Sequence, residues 1–237
     1  MNIDDPIKAA EALIQSEDRQ RSPVTEHIAE AIAALEIPGA ALVSGYLDRR
    51  RAENRDLLIS VLRDELRKLS ERFDRLSDKH KRFLQRDYAE LVADGLRKAE
   101  NLRAKERVIR IAAILGRAAE DGPSAALDET EEMMRIAMAL DDIDVTVLKE
   151  FVQTQADILK ENNNRAVFNV VNPLWKKKRP CPKMHEGELT SVCGKLESFG
   201  LIIRMDKNNS VIGPDEMSPY ALLGKGERFV RYIEYHA

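Results

Sequence analysis

Glu188–Arg204, ELTSVCGKLESFGLIIR, decides the fold, because the rhythm of the chain changes there. Leu189, Val192, Leu196 and Phe199 recur at helical spacing and predict a short helix over 189–199. Gly200 can take the left-handed conformation that ends a helix, and Leu201 can fold back on the last turn. The apolar run Leu201, Ile202 and Ile203 predicts a strand, the polar segment Asp206–Asn209 a turn, and Lys225–Tyr235 a closing helix. The last fifty residues are therefore expected to form a helix, a two-stranded ribbon and a further helix.

Upstream, nearly everything carries helical periodicity. Two short patterns begin at Asp5-Pro6 and Ser22-Pro23, and Pro38-Gly39 punctuates the chain after them. A long helix is predicted from Gly39 to about Leu76. Along it Leu58, Leu62, Leu66, Leu69, Phe73 and Leu76 follow one another at spacings of 4, 4, 3, 4 and 3, a coiled-coil-like seam. Ser77-Asp78 is a break with a capping residue, and a second long helix is predicted over 79–120, with Leu91, Leu96, Leu102, Val108, Ile111 and Leu115 among its apolar positions. Two such helices joined by a short turn predict an antiparallel hairpin. Gly122-Pro123 closes it, and Asp128 with Glu131 forms a capping-box pattern for a helix over 129–140. Asp141-Asp142 separates that helix from another over about 145–160. The expected fold is mainly α: a helical region, residues 1–141, carrying the long hairpin, and a small α+β module, residues 142–237.

Composition narrows the function. Charged residues make up 33% of the 237 positions and aromatics 5%, which suits long solvated amphipathic helices better than a β-sandwich. A net charge of −3 exerts no global pull on nucleic acid or an anionic surface. The charge is uneven, however: twelve Lys and Arg against eight Asp and Glu lie from Arg165 onward, leaving 26 against 33 before it. Any nucleic-acid surface is expected in the C-terminal part. Met1 leads directly into Asp4, Asp5 and Lys8, and the two cysteines Cys181 and Cys193 are few, so the expectation is a reduced cytoplasmic setting. The longest weakly polar stretch, 37–47, is too short to span a bilayer.

The run Glu188–Arg204, together with Tyr220–Ile233, YALLGKGERFVRYI, resembles the winged-helix transcriptional regulators, in which a helix is followed by Gly-Leu-Ile, a basic strand, and a closing strand and helix. The resemblance covers about fifty residues, and about ninety if the helix beginning near Val145 belongs to it. It implies that the helix over 189–199 lies in the major groove of duplex DNA, with Thr190, Ser191 and Lys195 facing the bases and Arg204 and Lys207 on the wing. The basic run Lys176, Lys177, Lys178 and Arg179 beside Trp175 has two readings: a grip on phosphates, or a solvated loop with Trp175 anchored in the core. This chain departs from the pattern in two ways. The reading helix carries one Lys and two Glu, Glu188 and Glu197, where base-reading helices present Arg, Lys, Asn or Gln. Leu223-Gly224 stands where a capping Thr is common in the family.

Enzymatic and metal chemistry have no residue constellation. None of His27, His80, His185 and His236 follows a Glu by three residues, and Cys181, His185 and Cys193 lack a fourth zinc ligand. Gly39 and Gly45 have five residues between them and are followed by Tyr46, which is not the phosphate-binding Walker pattern. No metal or cofactor is expected. The expected function is a non-enzymatic regulator that binds duplex DNA weakly through the C-terminal winged helix; the alternative is an interaction or scaffold protein whose degenerate winged helix binds a protein partner. A homodimer through the Leu58–Leu76 seam is expected with either.

Overall fold

The structure, a computed structural model, describes residues 12, 40–70, 76–124, 127–161, 181, 183–204 and 220–234. These residues are mainly helical, with one two-stranded antiparallel sheet among them. They divide into two compact units, one within Met1–Met138 and one spanning Ala139–Glu234. The two amino-terminal helical patterns, residues 71–75 of the seam and the Asp206–Asn209 turn lie outside the described residues.

The first unit holds α1 (Ala40–Ser70), α2 (Asp78–Gln85), α3 (Asp87–Glu100), α4 (Lys105–Asp121), a 3-10 turn (Gly122–Ser124) and α5 (Leu127–Ala139). Where periodicity predicts one helix over 79–120, the chain makes three. The first break is at Arg86, whose φ of −118° and ψ of −79° leave the helical range while its N–H still reaches the carbonyls of Arg82 and Phe83. The second is Asn101–Ala104, between α3 and α4. A break exposes the terminal carbonyls of a helix, and these need partners. Asn54 of α1 supplies them. Its side-chain amide donates to the carbonyls of Ala99 (3.0 Å) and Leu102 (2.9 Å), with the residue itself almost wholly buried. Arg55 pairs with Glu100 beside it.

α1 packs against α3 and α4, and Leu58, Leu62 and Leu66 are all buried within the single chain. The seam that reads as a coiled-coil stripe is thus, from Leu58 to Leu66, a core stripe. Leu91, Val92 and Leu96 of α3 and Val108, Ile111, Ile114 and Leu115 of α4 complete the core. α5 begins at Leu127, so Asp128 lies in its first turn rather than at the cap expected for a helix over 129–140; its charge still suits that end of the helix. At α2 the Ser77 hydroxyl accepts the His80 N–H at 3.2 Å, as a capping serine should. The His80 ring reaches the Ala119 carbonyl at 2.8 Å, near the end of α4.

Among the described residues, Tyr88 of the core is imperfectly satisfied. The Tyr88 hydroxyl is buried and meets no hydrogen-bond partner, and burial pushes its ionisation far above the ordinary tyrosine range. Tyr88→Phe removes that orphaned donor and is expected to raise stability by about 1 kcal/mol in urea unfolding. The native phenol resists ionisation while the unfolded one ionises near its ordinary value. Wild-type stability should therefore be undiminished below about pH 10 and fall above it, and Tyr88→Phe should flatten that fall. An unchanged urea midpoint in the variant would contradict this account.

The second unit holds α6 (Asp142–Glu161), α7 (Glu186–Ser198), β1 (Ile202–Arg204), β2 (Tyr220–Leu222) and α8 (Gly224–Ile233). The strands pair with Ile202 opposite Leu222, Ile203 opposite Ala221 and Arg204 opposite Tyr220. α6 packs against α7, β2 and α8, and Leu148, Phe151, Leu189, Leu196, Leu201, Ile202, Phe229 and Val230 form the core. The expected stop at Gly200 has a definite geometry. With Gly200 at φ +66°, its N–H donates to Glu197 O (2.8 Å) and the Leu201 N–H to Leu196 O (3.1 Å). This is the paired-bond ending that a left-handed glycine permits, and it turns Leu201 inward. Among the described residues no helix is long and apolar enough to cross a membrane.

Candidate interaction surface

α7 is the element on which the candidate residues converge, and its two faces separate cleanly. Leu189, Val192, Cys193 and Leu196 are buried. Glu186, Glu188, Thr190, Ser191, Gly194 and Ser198 are exposed. The Thr190 hydroxyl donates back to the Glu186 carbonyl at 2.9 Å, so it is engaged with its own helix. Ser191 faces outward. Of the residues expected at a DNA surface, Lys176, Lys177, Lys178, Arg179 and Lys207 lie outside the described residues.

Lys195 has a different setting from the one the resemblance implies. Its ammonium sits 2.5 Å from a carboxylate oxygen of Asp144 and 3.0 Å from one of Asp141. Burial works against the charge, but the hydrogen bonds to Asp144 and Asp141 outweigh it and hold the ammonium above the usual lysine range. Asp144 is itself nearly buried and also accepts the Asp141 N–H at 2.7 Å. The Val145 N–H in turn donates to the Asp141 carbonyl, so the helix starts from Asp141 and Asp144 supplies the returning side-chain bond of a capping box. Lys195 thereby ties α7 to the first turn of α6.

Arg204 is also engaged. Its guanidinium donates to the Tyr220 hydroxyl at 2.9 Å and lies 5.5 Å from the centre of that ring, within cation–π range. The Tyr220 hydrogen bond is the main reason its ionisation is pushed up. Its backbone N–H donates to a Glu197 carboxylate oxygen at 2.8 Å, linking α7 to β1. Cys193 is a core residue: burial, with Cys181 and Glu197 nearby, pushes its thiol up to about 12. Among the described residues no group of three metal-ligating side chains comes together.

Sequence reasoning missed the acidic partners of Lys195 and the tyrosine under Arg204. The Asp-x-x-Asp spacing at 141–144 is a readable capping signal, but nothing local announces a partner 51 residues away. Lys195→Ala leaves the Asp144 carboxylate nearly buried without its cation, so it is expected to destabilise the protein by about 1–3 kcal/mol. Asp144→Asn combined with Lys195→Ala should cost less than the sum of the two single changes. Strict additivity in that cycle would mean the pair is not coupled. No protein-family model matches this chain, and neither the curated proteins nor the solved structures contain a significant match to it.

Proposed function

We propose that this chain is a non-enzymatic regulatory protein whose C-terminal unit is a winged helix used to bind a protein partner. The order α6, α7, paired strands and α8 supports the winged-helix reading, with α7 in the place of the reading helix and β1–β2 as the base of the wing. In the first unit, the packing of α1 against α3 and α4 supports a broken form of the expected hairpin. The observation that carries the choice of partner is the state of the two described cations that DNA would need. Lys195 is bound to two aspartates and Arg204 lies on Tyr220, while Glu186 and Glu188 are exposed on the same helix. A groove-reading helix requires free donors aimed at base edges. Here the exposed positions are acidic, small or hydroxylic, which suits a protein surface and opposes a phosphate backbone. A homodimer through the Leu58–Leu76 seam is not part of this reading, because Leu58, Leu62 and Leu66 are already covered.

The test is a mobility-shift assay with random and mixed-sequence duplexes at about 50 mM salt, where purely electrostatic binding is strong. No retention is expected. Retention that disappears when Lys176, Lys177 and Lys178 are changed to Glu would overturn the proposal in favour of weak, phosphate-directed DNA binding.

A further inference from the structure

The N-cap of α7 is a histidine. His185 has extended backbone angles, φ −62° and ψ 144°, and its ring Nδ1 accepts the Gly187 N–H at 3.2 Å. Its carbonyl accepts the Leu189 N–H at 3.0 Å and so starts the helix. Asn, Asp, Ser and Thr commonly hold this position, and none of them loses its acceptor near neutral pH. An imidazole does, because once both nitrogens carry protons it can only donate.

We propose that His185 makes the first turn of α7 a pH-sensitive element, closed when the ring is neutral and frayed when it is protonated. Two effects act in the same direction. Protonation removes the acceptor that satisfies Gly187, and it places positive charge at the positive end of the helix dipole. On the helix itself Glu186 and Glu188 are the nearest acids in sequence, and Lys183 precedes the cap. From α6, Asp141 and Asp144 engage Lys195, ten residues and about 15 Å farther along α7. Lys149 of α6 pairs with Glu234, Arg204 of β1 lies on Tyr220 of β2, and Lys225 of α8 donates to the Phe199 carbonyl at the far end of α7. The His185 ring is exposed, and among the described residues its hydrogen-bond partner is the Gly187 N–H. The turn that frays carries Glu186, Glu188 and the Glu186–Thr190 hydrogen bond, so acidification rearranges the exposed start of the helix while the Lys195 end stays anchored.

The experiment follows amide exchange and the pH titration of the full chain by NMR, with exchange corrected for its intrinsic pH dependence. Between pH 7.5 and pH 5, wild-type protection at Leu189 and Thr190 is expected to fall roughly five- to thirtyfold, the population change that follows loss of one cap. His185→Asn, whose amide oxygen caps at any pH, should show no such fall, and His185→Ala should be poorly protected at both. The Gly187 amide proton should shift with the same midpoint as the ring Cε1 proton of His185. Parallel loss of protection in wild type and His185→Asn, or separate midpoints for Gly187 and His185, would overturn the proposal.

Discussion

Leu62→Asp is expected to lower the thermal midpoint by about 10–20 °C, as a loss of fold rather than a change of oligomer. Leu62 is wholly buried on α1, which packs against α3 and α4. Truncating a buried leucine costs about 2–5 kcal/mol, and a carboxylate without a partner adds its desolvation to that. A loss of about 5 kcal/mol corresponds to this shift of midpoint for a chain of this size. The introduced carboxyl would have its ionisation pushed up by burial, so its folded value would exceed its unfolded one. The deficit should therefore be smallest below about pH 4 and grow as pH rises through the shifted value. Leu62→Met, which conserves volume, should cost less than about 1.5 kcal/mol. Light scattering coupled to size exclusion, run beside the melts, separates the alternatives. A variant that keeps the wild-type midpoint but halves in mass would restore the seam as a dimer interface.

Gly226→Ala is expected to disrupt the second unit although it adds a single methyl group. A Cβ at Gly226 would stand 2.3 Å from the Leu201 carbonyl oxygen and 2.9 Å from a methyl of Leu222. That carbonyl is held in place because it accepts the Leu223 N–H at 3.0 Å, and Leu201 is fixed by the ending of α7. A flexible side chain could step aside, but backbone shared by α7, β1 and β2 cannot. Overpacking of an interior costs about 1–3 kcal/mol where it can relax, and the upper end or beyond is expected here. Gly194→Ala is the control, since nothing lies within 4 Å of its would-be Cβ. On an exposed helix face it should be neutral or slightly stabilising. Equal urea midpoints for the two variants would show that α8 does not seat as closely on Leu201 as the structure has it.

The acidic partners of Lys195 alter how substitutions on α7 are to be read. Weakened binding of any partner by Lys195→Ala cannot be taken as loss of a direct contact, because the same change takes the cation away from Asp141 and Asp144 at the start of α6. Glu188 and Ser191 are cleaner probes, because both are exposed. Changing them should affect partner binding with little effect on the melt.

Local grammar by itself determined that this chain is mainly helical, that Ser77 caps a helix, that a helix ends at Gly200 and that a strand pair follows. Each of those outcomes is decided within a turn or two of backbone, by apolar periodicity, a hydroxyl in reach of an N–H, or a residue without a Cβ. Tertiary structure decided the rest. The pattern over 79–120 is continuous enough for one helix, yet it breaks twice, and the second break is held by Asn54, 45 and 48 residues away from the carbonyls it serves. A leucine seam looks the same in sequence whether it meets another chain or its own; only the packing of α1 on α3 and α4 shows that Leu58, Leu62 and Leu66 are covered. Lys195 was legible as a cation on an exposed helix, but its state was not. A charge acquires its meaning from what stands within about 4 Å of it, and for Lys195 that is a pair of aspartates brought close by the fold rather than by the chain.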